Sequence, residues 1–180
     1  MSHEVLTSLL RRKFKDSDLL NLLDDIVDSA DGLPIGNYTS QYLANFYLAY
    51  FDHWIKESQG IRYYFRYADD MVILSDSKEA LHSLLENIRF YLHTLQLELK
   101  NNYQIFPVDA RGIDFVGYVF FHDYTLLRKS IKQNMARMLT YNPNPKSIAS
   151  YNGWLSHCNS RHLSKKLFNN LKIETKWTLM

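Results

Sequence analysis

Residues 66–74 read RYADDMVIL, two adjacent acids set between short runs of aromatic and branched side chains. No other stretch restricts the fold as much. Ile61 to Phe65 and Met71 to Leu74 have strand length and strand composition, and with only Ala68-Asp69-Asp70 between them they must return antiparallel as a β-hairpin. Two carboxylates at such a tip repel each other and need water, a pairing cation or a bound metal ion. Asp also favours turns because it hydrogen-bonds nearby backbone, so these residues alone leave both a solvated turn and a metal site open.

The rest of the chain supplies a setting. Helical spacing runs through Val5-Leu6, Leu9-Leu10 and Phe14, and again through Leu19-Leu20, Leu22-Leu23 and Ile26-Val27. Asp31-Gly32-Leu33-Pro34-Ile35-Gly36-Asn37 breaks that spacing and predicts a loop. Thr39 or Ser40 is then placed to cap a long, central helix carrying Leu43, Phe46-Tyr47, Tyr50-Phe51 and Trp54. After the hairpin, Ser75-Asp76-Ser77 starts a helix with a stripe at Leu81, Leu84-Leu85, Ile88, Tyr91-Leu92 and Leu95. Strands are predicted at Tyr103 to Val108, Phe115 to Phe121 and Thr125 to Leu127, and a helical end follows. This order argues an α+β fold with an antiparallel sheet.

Charge divides the chain more sharply than its net +2 suggests. Residues 1–127 carry 11 Lys and Arg against 18 Asp and Glu, whereas residues 128–180 carry 10 against Glu174 alone. The basic end suits a polyanionic partner, with a solvated basic tail as the plainer alternative. A single cysteine, Cys158, excludes an internal disulfide framework, and the scattered histidines lack zinc-site spacing. The longest apolar block, Tyr42 to Phe51, is too short to span a bilayer, and the first residues read as an amphipathic helix, so a cytoplasmic protein without a membrane partner is expected.

Three features weight the hairpin towards chemistry. Its acids lie close to packed strands, and magnesium binds through one or two carboxylates while keeping several waters. The permissive loop 32–41 can approach a base or sugar, with Ser40 and Gln41 adding polar groups, although a helix entrance explains it too. Gly112 to Tyr118 sets glycines around aromatic residues, where another chain can come near or a strand can simply end.

Together these segments resemble the reverse transcriptases. YADD (67–70) is similar to their catalytic motif, LPIGNYTSQYLAN (33–45) to the template- and substrate-contacting motif before it, and DFVGYVF (114–120) with LLRKSIKQ (126–133) to the strand and thumb entrance after it. SYNGWLSHCNSRHLSKKL (150–167) resembles a bacterial thumb. Ile35-Gly36-Asn37-Tyr38-Thr39-Ser40-Gln41 departs from the Gln-Gly-x-x-x-Ser-Pro of intron-encoded enzymes and resembles the loop of diversity-generating retroelements, which copy template adenines with errors.

The resemblance implies a partial polymerase palm over 1–127 and a small helical, basic thumb over 128–180. It implies nucleotidyl transfer with two magnesium ions, Asp69 as a direct ligand and Asp70 supporting it. Ile35, Gly36, Ser40, Gln41, Tyr67 and Ala68 would line the nucleotide and template pocket. Arg128, Lys129, Lys132, Arg137, Lys165 and Lys166 would hold the duplex backbone. Tyr151 and Trp154 have the spacing of thumb packing, with stacking on bases as an alternative. Partners would be an RNA template, a DNA or RNA primer, deoxynucleoside triphosphates and an accessory protein. The family carries a further aspartate in an Asp-x-x-x-(Phe/Tyr) segment before a stretch like Ser2 to Leu6, together with fingers, and neither matches here. A fragment inactive by itself is therefore expected. The alternatives are a non-catalytic RNA-binding or scaffold module on the same fold, and a relative that extends without a template.

Overall fold

The computed structural model describes residues 1–32 and 38–168. Two compact units divide it, Met1–Ile105 and a second beginning at Phe106. The first contains the acidic hairpin. The division falls earlier than the change of charge after Leu127, so the later strands compact with the basic helices.

In the first unit, α1 (His3–Lys13) starts where Ser2 accepts a hydrogen bond from the Val5 N–H, and α2 (Ser17–Asp28) where Asp16 accepts one from Leu19. These caps satisfy donors that the first helical turn cannot pair internally. The expected long helix is a broken one: α3 (Tyr38–Tyr47), a turn at Leu48, α4 (Ala49–His53) and a π-helical turn (Trp54–Ser58). Thr39 and Ser40 lie inside its first turn rather than capping it. One four-residue stripe, Leu43, Tyr47, Phe51 and Ile55, runs through all three pieces and is buried in the core. The helix is central only along that stripe, because Tyr38 and Tyr42 on its other side are 90% and 76% exposed.

Strands β1 (Tyr63–Tyr67) and β2 (Asp70–Leu74) pair antiparallel, with Tyr63 opposite Leu74 and Tyr67 opposite Asp70. Strand alternation sends Tyr64 inward and leaves Tyr63, Phe65 and Tyr67 outside. Helix α5 (Lys78–Thr94), capped by Ser77, covers the same core with Leu84, Ile88 and Leu92. The Tyr47 hydroxyl donates to the Leu95 carbonyl at 2.5 Å, closing the end of α5 onto the stripe.

Beyond α5 no strand forms over Tyr103 to Val108. Pro107, which lacks an N–H for a ladder, instead precedes a one-turn helix, α6 (Val108–Arg111). The run Phe115 to Phe121 is not one strand either. It folds back on itself as β3 (Ile113–Phe115) and β4 (Tyr118–Phe120), joined by Val116 at φ +48° and Gly117 at φ +85°. Positive φ at both central residues is what a two-residue type I′ hairpin demands. β5 (Thr125–Leu127) completes a three-stranded antiparallel sheet in the order β3-β4-β5. Helices α7 (Lys129–Tyr141), α8 (Pro145–Ser156) and α9 (Arg161–Phe168) follow. Leu127, Met135, Leu139 and Leu155 form their buried core, against which Tyr151 and Trp154 pack. Helices and small antiparallel sheets make this an α+β protein.

Candidate active site on the acidic hairpin

The two-residue turn Ala68-Asp69 closes the β1–β2 ladder. Its tightness forces Ala68 to φ +51°, a left-handed conformation that costs an L-residue about 1–2 kcal/mol. The turn presents Asp69 and Asp70 as neighbours, both exposed. Lys100 reaches Asp69 Oδ2 with Nζ at 2.8 Å, and both side chains stay largely in solvent. That hydrogen bond, then Asp69's own backbone N–H and the charge of Lys100, hold the Asp69 carboxyl below the usual carboxylate range.

Behind the turn lies a partly buried polar cluster. Arg66, on the inward face of β1, keeps 10% of its side-chain exposure. Its Nε donates to Asp52 Oδ1 at 2.8 Å and its Nη2 to Asp52 Oδ2, a two-toothed grip on α4. Nη1 donates to Asn45 Oδ1 on α3 at 3.2 Å and to the Ala68 carbonyl at 3.0 Å. The Tyr64 hydroxyl donates to Asp52 Oδ1 at 2.6 Å. Burial, reinforced by the hydrogen bond to Asp52, raises the Tyr64 phenol above its ordinary value. The Asp52 hydrogen bond likewise strengthens the hold of Arg66 on its proton.

Among the expected pocket residues, Ser40 and Gln41 sit in the first turn of α3, and Asn45 follows Gln41 by one helical turn. Ile35 and Gly36 lie outside the described residues. Tyr67 is 60% exposed on the outer face of β1, beside the turn. Thus Arg66 joins the helix bearing Ser40 and Gln41 to the turn bearing the acids. Sequence reasoning passed over Arg66, Asp52, Asn45 and Lys100. A signal existed: a cation at an inward strand position and an acid within an apolar helix each need a buried partner.

In the second unit, Lys129, Lys132 and Arg137 are exposed on α7, and Lys165 and Lys166 on α9. Arg128 is engaged otherwise, its Nε donating to Asp114 Oδ1 at 2.6 Å.

Two hard carboxylates consecutive in sequence at a tight turn suit a divalent cation of the magnesium type. Among the described residues no third carboxylate, histidine or cysteine joins them in a cluster able to hold an ion. The donor set therefore fits a metal but supplies only part of its coordination.

Residues 8–120 match the family model described as reverse transcriptase (RNA-dependent DNA polymerase). The match spans more than half of the chain, which belongs to the reverse transcriptase family. The chemistry of that family is RNA-directed DNA synthesis by nucleotidyl transfer, generally with Mg2+, an RNA template, a primer and deoxynucleoside triphosphates. No match was found among curated proteins. No helix of the described residues is long and apolar enough to cross a membrane.

Proposed function

We propose that the chain is the palm (1–127) and thumb (128–180) portion of a bacterial or phage-encoded retroelement reverse transcriptase. The loop Ile35-Gly36-Asn37-Tyr38-Thr39-Ser40-Gln41 supports the diversity-generating kind. The observation that carries this reading is the turn at Ala68-Asp69, which projects two adjacent carboxylates from a braced hairpin within the matched family region.

Asp69 would hold a metal directly, with Asp70 supporting it. A pair of magnesium ions, when bound, activates the primer hydroxyl and stabilises the oxygen leaving the α-phosphate. The chain's own part is orientation. The hairpin fixes the acids, Tyr67 and Ala68 shape the turn against the duplex end, and α3 offers Ser40 and Gln41 to the nucleotide and template. Ile35 and Gly36 belong to the same pocket in this reading. Lys129, Lys132, Arg137, Lys165 and Lys166 hold phosphates, and Arg128 joins them on leaving Asp114. An accessory protein would act with the cytoplasmic complex.

Two carboxylates do not hold two ions in catalytic geometry, so the chain by itself is catalytically incomplete. With an RNA template, a primer and Mg2+, it is expected to give no extension product. Supplying the family's upstream Asp-x-x-x-(Phe/Tyr) region in one polypeptide is expected to produce extension, and Asp69→Asn to remove it. Extension by the chain alone, or by the completed enzyme regardless of Asp69, sinks the proposal. A completed enzyme that binds RNA without extending favours the second reading, a non-catalytic RNA-binding module, for which the short donor set speaks.

A further inference from the structure

Arg66 is a poor candidate for touching substrate. A guanidinium has five N–H groups, and here four of them serve both oxygens of Asp52, the Asn45 amide oxygen and the Ala68 carbonyl. Its remaining exposure is too small to offer a phosphate a fork of donors. What those contacts hold is the turn. The Ala68 carbonyl and the Asp69 N–H share one peptide plane, so the hydrogen bond to that carbonyl sets the plane from which Asp69 departs. Ala68 is left-handed, and a turn in that conformation persists where its surroundings over-determine it. Asp52, braced by the Tyr64 hydroxyl, fixes the other side of the guanidinium.

We propose that Arg66 is a positioning residue for the Asp69–Asp70 pair, locking the Ala68 peptide and coupling it through Asn45 to the helix that carries Ser40 and Gln41. The importance of that lock for metal binding rests on the reading of Asp69 and Asp70 as ligands. The lock itself does not. Loss of a group that orients a metal ligand from behind commonly lowers metal affinity by about 10- to 100-fold.

The test uses the 15N-labelled chain and Mn2+ alone as probe, with Asp69→Asn/Asp70→Asn as the ligand control. Arg66→Lys keeps a positive charge against Asp52 but lacks the planar fork that serves Asp52 and Ala68 together. It is expected to retain the amide signals of Leu43, Tyr47 and Phe51 while those of Ala68 and Asp69 broaden or double. The Mn2+ concentration that half-broadens Asp70 is expected to rise about ten-fold. A folded Arg66→Lys chain with single sharp Ala68 and Asp69 signals and an unmoved Mn2+ midpoint overturns the proposal. Where that variant does not fold, the wild-type Arg66 Nε–Hε signal decides. Movement during a Mg2+ titration with the midpoint of Asp69 supports the lock, and a signal that stays still while Asp69 moves overturns it. A wild-type chain indifferent to both ions at Asp69 and Asp70 defeats the metal reading alone, because disorder of Ala68 and Asp69 in Arg66→Lys still supports positioning.

Discussion

Asp69 meets a cation already within its own unit. The Lys100 ammonium, 2.8 Å away, lowers the pKa of the carboxyl. A folded value below the ordinary one means that the pair's stabilisation is present above about pH 4 and is lost as pH falls through the lower folded value. Exposure of both partners makes that stabilisation small. Lys100→Met is therefore expected to leave the melting temperature within about 2 °C. It is also expected to shift the Asp69 titration upward, as read from its side-chain 13C signal. An unmoved titration would separate the two residues in solution. The turn that carries the acids was legible from the strand runs on either side of it, although adjacent Asp residues there suit a plain solvated turn as well. Lys100 was not, since it lies thirty-one residues downstream in a segment without regular structure. Arg66 was hidden differently: beside two acids it reads as their local counter-ion, whereas its carboxylate partner is Asp52 on α4.

Elements show the same contrast between local and remote causes. The hairpin at 63–74, the α5 stripe and β5 follow from side-chain period, which is local information. The β3–β4 turn does not. Val116 is β-branched and reads as strand, yet it occupies a left-handed position at φ +48°. Val116→Asn, a residue suited to type I′ turns, is expected to raise stability by about 1 kcal/mol in urea unfolding. Gly117→Ala has the opposite sign. At φ +85° an added Cβ would sit 2.5 Å from the Trp154 ring and 2.9 Å from Ile131, so a loss of about 3 kcal/mol is expected. Equal stability of the two variants would refute the turn. The break at Leu48 was equally illegible, because the apolar stripe continues through α3, α4 and the π-helical turn without interruption.

Across the whole molecule the uneven charge makes the basic end the place to seek nucleic acid. Lys129, Lys132, Lys165 and Lys166 are exposed, and among the described residues no carboxylate pairs with them as Asp114 does with Arg128. Binding of an RNA–DNA duplex is expected to be weak and to fall steeply as salt rises, because captured phosphates release counterions. Changing those four lysines together to Glu is expected to remove most of the binding in a fluorescence-anisotropy titration. Salt-insensitive binding that survives the four changes would place the contact elsewhere. Fold class was readable at this scale from the order of the elements. The compact units were not, since the charge boundary after Leu127 and the packing boundary at Ile105 answer to different forces.

The outward aromatic row of β1 bears on folding fidelity. Hydrophobic pattern selects strand register when one face is oily and the other polar, since a slip of one residue exchanges the faces. On β1 both faces are aromatic: Tyr64 points in, while Tyr63, Phe65 and Tyr67 point out. Greasiness alone barely distinguishes the native register from its neighbour. Charge does, because a slip would strand the Arg66 guanidinium in solvent and leave Asp52 half-buried with no cation. The salt bridge thereby acts as a proofreading key, rejecting a misthreaded hairpin that its oily side chains would have accepted.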